Sequence, residues 1–528
     1  MAPAKSSSPW TPLIHTWFRW LWIASIASNV GTWMQNVGAA WLMTTLVPSA
    51  LLVALVQTAT NLPVFLMGVP AGAIADIVDR RKLLLISQAW MLLAAAILGA
   101  LTLTGNTGPW TLLWLTFALG LGSTMNGPAW QAIMPELIPK KDLAAAITLN
   151  SVGFNLARSV GPALGGLVVA AIGAGAAFIL NAVSFVGVMI VLYLWPRQPE
   201  FTTSSPERVW TAMWTGMRYI RFAPRMHAVL LRSGTFVIAS SALWAILPLL
   251  AKKELHSESS GYGVLLGCLG AGSILGALAI GRVRQRLSSD VIVTASMALF
   301  GLVSITLAYL TNFGAVALVM LAGGVAWMSV NSSLNTAAQT SLPGWVRARA
   351  LGVYLLVFQS AMAVGAVIWG EVASQFGLRA TLLIAGITLL LGAAATSRLR
   401  LTGLREVDTT PSNHWPEPPP LIERLPEHGP VLVTVEYLID PERGAEFAQA
   451  MQPLRRIRRR DGAIRWSLYE DAANPGRYIE NFVVESWAEH LRQHERVTVS
   501  DREMEAKALA FHQAEGPPKV THWIAARK

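Results

Sequence analysis

Cysteine is all but missing: Cys268 is the one thiol in 528 residues. A single cysteine closes no intramolecular disulfide, and no cysteine or histidine spacing marks a metal site, so a disulfide-stapled framework and a structural zinc domain are excluded. Charge is scarce as well, at 13% of residues against about 25% in an ordinary soluble domain. Acids are the scarcer sign where the chain is most apolar. Residues 1–400 hold 10 Asp and Glu against 24 Lys and Arg, whereas residues 401–528 hold 20 against 17. The net +11 therefore belongs to the first part, and its cations gather in short bends. That distribution marks the loops of a membrane protein and excludes a nucleic-acid-binding patch. The N-terminus, MAPAKSSSPWTP, lacks a cleavage pattern, so no signal peptide is read there.

What is present is apolar: 53% of residues are hydrophobic. A hydrocarbon core about 30 Å thick needs about 20 apolar residues as helix, and lipid offers no partner for an open backbone. Twelve such runs are legible, at about 17–45, 50–75, 83–104, 110–134, 143–171, 174–195, 227–251, 260–281, 290–311, 314–340, 348–376 and 378–397. Bends rich in Lys and Arg (80–82, 140–141, 197–225, 282–286, 347–349) alternate with bends reading VPS, TGNTGP, GAG, KKELHSESS and TNFG. The positive-inside rule then places the basic bends and both termini in the cytoplasm of a multi-pass inner-membrane protein.

The expected organisation is a six-helix bundle (1–195), a cytoplasmic connector (196–226), a second six-helix bundle (227–400), a Pro-rich linker (401–430) and a cytoplasmic α+β domain (431–528). In the connector, Trp210, Trp214 and Met217 beside Arg218, Arg221 and Arg225 suggest a short interfacial helix. The two bundles share a Gln-x-x-x-Pro at Gln131–Pro135 and Gln339–Pro343, as an internal duplication would produce. In the tail, VLVTVEYLI, AIRWSLYED, RYIENFVVESW and VTHWIA read as strands of one antiparallel sheet, with a helix over PERGAEFAQAMQPLRRIRRR. RRIRRR reads as a solvated helix end, with anionic lipid as the alternative partner. His490 and His494 share a helix face, but Leu491 follows His490 where a metalloprotease motif needs Glu, so they read as solvated or packing histidines.

Two stretches carry mechanism. In GAIADIVDRRK, Gly72 leaves room for a neighbouring helix, Asp76 can cap the following turn, and Arg80 and Arg81 can pair with Asp76 or Asp79. Gly72, Asp76, Asp79, Arg80 and Arg81 resemble the loop-two signature of the major facilitator superfamily, with Asp79 where glycine is usual. The resemblance implies a cytoplasmic gate, two six-helix bundles and alternating access. In GFNLARSVGPALGG, Gly153, Gly161, Pro162, Gly165 and Gly166 resemble the antiporter signature of the same superfamily, which implies export. Together with GMRYIRFAP and VRARALGVYLLVFQ, these stretches resemble the bacterial exporter subgroup that includes the enterobactin exporter. The likeness covers about residues 10–400 and implies efflux of a small siderophore-like, drug-like or amphiphilic solute.

Arg158 lies about 22 Å along its helix from the cytoplasmic start. An arginine at that depth does not face lipid: it meets substrate or a coupling group, or it bonds to polar side chains of neighbouring helices. Asn29, Gln35, Asn36, Asn126, Asn331 and Asn335 fall on helices that line the central cavity in the superfamily, and plain interhelical bonding is the alternative for each. Protons are the coupling ion to consider, yet no acid stands at depth in the first or fourth helix to carry them. No cofactor or metal is called for. The tail resembles ferredoxin-like domains of the antibiotic-biosynthesis-monooxygenase type, which implies a homodimer through its sheet. A tethered enzyme and a dimerisation or regulatory module stay open as rivals for that domain, and no catalytic constellation is visible in it.

Overall fold

The computed structural model describes residues 10–196, 216–401, 408, 410, 412, 414–415 and 429–525. Six helices make the first half: α1 (Thr16–Leu46), α2 (Ala50–Ile77), α3 (Arg80–Leu103), α4 (Pro109–Leu137), α5 (Leu143–Ile172) and α6 (Ala174–Leu194). The second half follows as α7 (Pro224–Leu249), α8 (Ser259–Arg284), α9 (Ser289–Leu307), α10 (Phe313–Thr340) and α11 (Gly344–Thr396). α11 is broken at Gly377, whose φ of 82° ends one helical arm and starts another. Among the described residues nine helices are long and apolar enough to cross a bilayer. α1 and α4 are of similar length, 31 and 29 residues, but fall outside that set.

Chain entry and exit follow local chemistry. Ser49, Asp79 and Ser288 accept from backbone N–H groups at the starts of α2, α3 and α9. Pro109 sits in the first turn of α4, where no N–H is needed. Trp210 and Trp214 of the expected interfacial helix lie outside the described residues; residues 216–221 are helical.

With no hydrophobic drive between helices in lipid, association depends on close packing, and glycine supplies it. A Cβ on Gly161 would stand 2.6 Å from the Cβ of Trp33, and one on Gly165 would stand 2.7 Å from the Cα of Met34, so α5 lies directly against α1. The opposite side of α5 meets α8. A Cβ on Gly166 would stand 2.6 Å from the carbonyl oxygen of Ser259 and 2.8 Å from the Cα of Gly263. This backbone-to-backbone seam joins the two halves.

Further contacts cross between the halves. Lys252 Nζ donates to the carbonyl of Thr44 at 2.6 Å, Trp41 stacks on Tyr262 at 6.2 Å, and Gln359 donates to Asn61 at 3.2 Å. The first two lie toward the VPS and KKELHSESS bends, whereas the third joins the middle of α2 to the middle of the first arm of α11.

The tail is a four-stranded antiparallel sheet of order β2-β3-β1-β4: β1 (Val431–Leu438), β2 (Arg465–Glu470), β3 (Arg477–Val484) and β4 (Lys519–Ile524). α12 (Gly444–Asp461), α13 (Trp487–Arg496) and α14 (Val499–Leu509) complete it. Alternate residues of β1 and β3 (Val431, Val433, Val435; Phe482, Val484) pack with Phe447, Met451 and Leu454 of α12. The period of two on the strands and the i, i+4 spacing on the helix make that core. The chain separates into two compact units, and the one holding the tail also takes residues 216–229 and 336–354.

Substituting Gly166→Leu forces a side chain into the α5–α8 seam, where overpacking costs about 1–3 kcal/mol. The detergent-purified protein should then unfold at lower temperature, whereas Gly281→Leu, which opens onto free space, should leave the midpoint in place.

Candidate functional site

The stretch 72–82 forms the end of α2 and the start of α3. Asp79 caps α3, its carboxylate accepting from the N–H of Lys82 at 2.9 Å. Arg80 reaches across to α4 and donates to Glu136 at 2.9 Å and to the carbonyl of Ala132 at 3.2 Å. Arg81 donates to the carbonyl of Tyr193 at the end of α6. The basic pair thus ties α3 to α4 and α6, and Glu136 is a partner that the sequence reading did not name. Among the described residues, a Cβ on Gly72 would meet nothing within 4 Å. The side chain of Asp76 lies outside the described groups.

α5 carries the other motif into the interior. Gly153, Gly161 and Gly165 face α1, Gly166 faces α8, and Pro162 and Arg158 look into a cavity. Trp33 of α1, Trp244 of α7, Trp327 of α10 and Ser273 of α8 line the same space, so both halves contribute to it. Its volume is about 20 Å³, room for one water molecule. Trp327 is held by aromatic neighbours, with Phe236 at 5.4 Å, Trp244 at 5.5 Å and Phe300 at 6.0 Å between ring centroids. The Nε1–H of Trp244 is buried without a hydrogen-bond partner. Among the described residues no carboxylate pairs with Arg158. A cation and an unused donor therefore stand among indole rings, a constellation suited to a flat, partly apolar anion.

Four of the six amides have hydrogen bonds away from this space. Gln35 accepts from Asn181 and fastens α1 to α6, and Asn126 accepts from Gln88 at 3.1 Å between α4 and α3. Asn29 and Asn331 donate to carbonyls one turn back, of Ser25 and Trp327. Asn36 is half-buried, and Asn335 is exposed with a polar partner of its own.

Sequence reading missed Arg232. It is fully buried in α7 and binds Asp290 at 3.2 Å together with the carbonyls of Thr396 and Ser397 at 2.9 and 3.0 Å. An isolated arginine five residues into the apolar run 227–251 was the available signal. It clasps α7 to the start of α9 and the end of α11.

The tail corrects the solvated reading of RRIRRR. Arg458 is buried and bridges Glu480 and Glu505 at 3.2 and 2.5 Å; Arg460 binds Asp501 at 2.6 Å. Burial acts to lower the Arg458 pKa, but the two carboxylates outweigh it and raise it. Burial pushes Glu505 up, and Arg458 with His414 and Trp415 holds it down at about 2. Within the same compact unit, Arg218 binds Glu489 at 2.9 Å, Arg460 lies 5.4 Å over Tyr219, and Arg496 lies 4.5 Å over Trp345. The domain therefore grips residues 216–222 and the first turn of α11.

His490 and His494 are packing histidines, with His494 Nε2 at 3.4 Å from His490 Nε2 and the His522 ring 4.7 Å from His490. Among the described residues no His, Cys, Asp or Glu group has the arrangement of a metal site. Burial, then the neighbouring His494 and His522, depresses His490 to about 3; burial with His522 and Arg458 depresses His494 to about 4.

A depressed histidine pKa means that the unfolded tail binds more protons between about pH 4 and 6.5. Stability is then complete above pH 6.5 and falls on acidification, by roughly 1.4 kcal/mol per pH unit for each histidine. Hydrogen exchange across residues 487–496 of the full-length protein, corrected for intrinsic rates, should accelerate from pH 7 to 5, and unchanged protection would contradict this.

Comparison with known proteins agrees with the helical architecture. Residues 7–528 match the major facilitator family MFS_3, described as "Transmembrane secretion effector". The chain is 23% identical over 374 residues to the staphyloferrin A transporter of Staphylococcus aureus, covering 70% of this chain and 93% of that protein. It is 26% identical over 397 residues to the multidrug efflux pump Tap of Mycolicibacterium fortuitum, covering 73% and 95%. Among solved structures, an inward-facing, occupied bacterial homologue of the human lysosomal transporter Spinster aligns with a TM-score of 0.59 at 16% identity, over 75% of this chain and 98% of that one. The nucleoside transporter NupG aligns with a TM-score of 0.59 at 15% identity, over 73% and 99%. These two likenesses establish the shared fold. With its packed apolar helices and its matched length, the chain is a multi-pass membrane transporter and belongs to the transmembrane secretion effector family of the major facilitator superfamily.

Proposed function

We propose that this transporter exports a small amphiphilic anion across the bacterial inner membrane by alternating access, with twelve crossings in two six-helix halves and both termini cytoplasmic. The observation that carries this reading is Arg158: a membrane-depth cation without a carboxylate partner among the described residues, facing a space walled by Trp33, Trp244 and Trp327 from both halves. A charge at that depth is costly unless something completes it, and an anionic cargo does so. Efflux and siderophore transport among the relatives support the class of cargo. A space of about 20 Å³ admits no such solute, so the halves must separate to load it. The seam at Gly166 and Gly263 and the Lys252 contact to Thr44 are the closures on the KKELHSESS side, which the reading makes the outer side.

The tail supports a regulatory role rather than an enzymatic one. Its strand order β2-β3-β1-β4, with one helical crossover after β1 and another after β3, fits a ferredoxin-like domain. Its contacts to residues 216–222 and Trp345 give it a hold on two segments that must shift if the second half rocks.

Inside-out vesicles given a panel of anionic and neutral fluorescent solutes in the external medium test both readings. Arg158→Gln should lower uptake of the anionic solute at least roughly tenfold, with Arg158→Lys intermediate, because a charge-assisted hydrogen bond is worth about 1.5–3 kcal/mol. Arg218→Gln, which releases the tail from the connector, should change the maximal rate and spare the apparent affinity. Normal uptake by Arg158→Gln overturns the cargo reading, and an unchanged rate in Arg218→Gln overturns the role of the tail.

A further inference from the structure

Where the tail buries an arginine, a carboxylate meets it: Arg458 with Glu480 and Glu505, Arg460 with Asp501, Arg496 with Glu489. One face of α12 differs, its arginines exposed (Arg455, Arg456) or half-buried (Arg459) and without such partners among the described residues. Arg455, Arg456 and Arg459 turn toward Arg221 and His227, and together they line a cavity of about 480 Å³. No acid belongs to the lining, which is completed by Gln452, Phe222 and Pro224. Among the described residues none of the four arginines has a carboxylate partner. Arg455 lies 6.0 Å over the ring of Trp466 and Arg221 lies 5.9 Å over that of Phe222, contacts that orient guanidinium groups without neutralising them. The Nε of Arg459 is buried with no hydrogen-bond partner at all.

We infer that this cavity is a binding site for a phosphate-bearing anion. Four guanidinium groups around one space repel one another, and an anion relieves the repulsion more than water does. The planar fork of arginine matches a phosphate group with two parallel hydrogen bonds, and several forks converging from α12 and from the start of α7 can hold more than one such group. Position narrows the source. Pro224 opens α7, a membrane-crossing helix, so the cavity stands where a crossing begins and phospholipid headgroups lie. The headgroup of an anionic lipid and a soluble phosphate compound share this chemistry. Either would bridge the connector and the tail, and so tighten the same grip that Arg218 and Glu489 make.

The test uses the full-length protein, purified in detergent and stripped of lipid. Phosphatidylglycerol, phosphatidylcholine and inorganic pyrophosphate are titrated separately, and binding is followed by native mass spectrometry and by the unfolding temperature. The variants are Arg456→Gln, an exposed position that leaves packing alone, and the triple change Arg455→Gln, Arg456→Gln, Arg459→Gln. Arg443→Gln is the control, an exposed arginine of the same domain already paired with Glu446. At about 1 kcal/mol per basic residue, affinity should fall roughly fivefold in the single variant and on the order of a hundredfold in the triple one, with the control unchanged. Arginine-dependent binding of phosphatidylglycerol identifies a lipid site, and arginine-dependent binding of pyrophosphate alone identifies a soluble ligand; both support the inference. Equal binding of phosphatidylglycerol and phosphatidylcholine with no response to pyrophosphate overturns it. So does binding that the Arg456→Gln variant leaves intact.

Discussion

A guanidinium group in hydrocarbon has to be completed by something, and how each membrane-embedded arginine is completed organises this protein. Arg232 is completed internally, by Asp290 and by the carbonyls that close α11, and the result is a rigid clasp within the second half. Arg158 is given aromatic walls and an idle indole N–H, but no carboxylate. The first arrangement is a clasp within the fold; the second is the one that the proposed anionic cargo would complete. Since desolvation is the dominant cost of a buried ion, an arginine left in this state is tolerable only while the cavity is small, wet or filled.

Glycine sets how the two halves meet around that charge. On α5 the small residues fall on two faces, so one helix serves both as a core element against α1 and as half of a seam against α8. Backbone contact of this kind is strong when closed and has no side chains to disentangle on opening. The tail works at another level. Its arginines and acids form a buried network whose outer members, Arg460 and Arg496, are placed over Tyr219 and Trp345. A soluble domain is thereby fastened to helix ends by cation–π contacts and one ion pair, interactions that are individually modest and so suited to a joint that shifts.

Much of this was legible in the sequence. The helix starts at Ala50, Leu143 and Ala174 and the strands of the tail fall within a few residues of expectation, because apolar run length and period-two alternation are local signals. Arg158 could be singled out because a lone cation in an apolar run has only a few resolutions. What could not be read was pairing. Glu136 as the partner of Arg80, Asp290 as the partner of Arg232 and the burial of Arg458 all depend on residues brought together across 22 to 58 positions of chain. RRIRRR looks solvated as a string, and only the register of β3 puts Glu480 beneath it. For the amides the string left two readings open, because an asparagine on a helix can satisfy itself on the carbonyl one turn back, as Asn29 and Asn331 do here.

The central claim is that cargo charge completes Arg158. Calorimetric binding of one transported acid and of its neutral methyl ester, to the wild-type protein and to Arg158→Gln, addresses it without the ambiguities of flux. The account predicts that the substitution weakens the acid by at least roughly tenfold and leaves the ester nearly unchanged. Equal losses for both compounds, or none for either, would mean that Arg158 holds the helices together and does not read the charge of the solute.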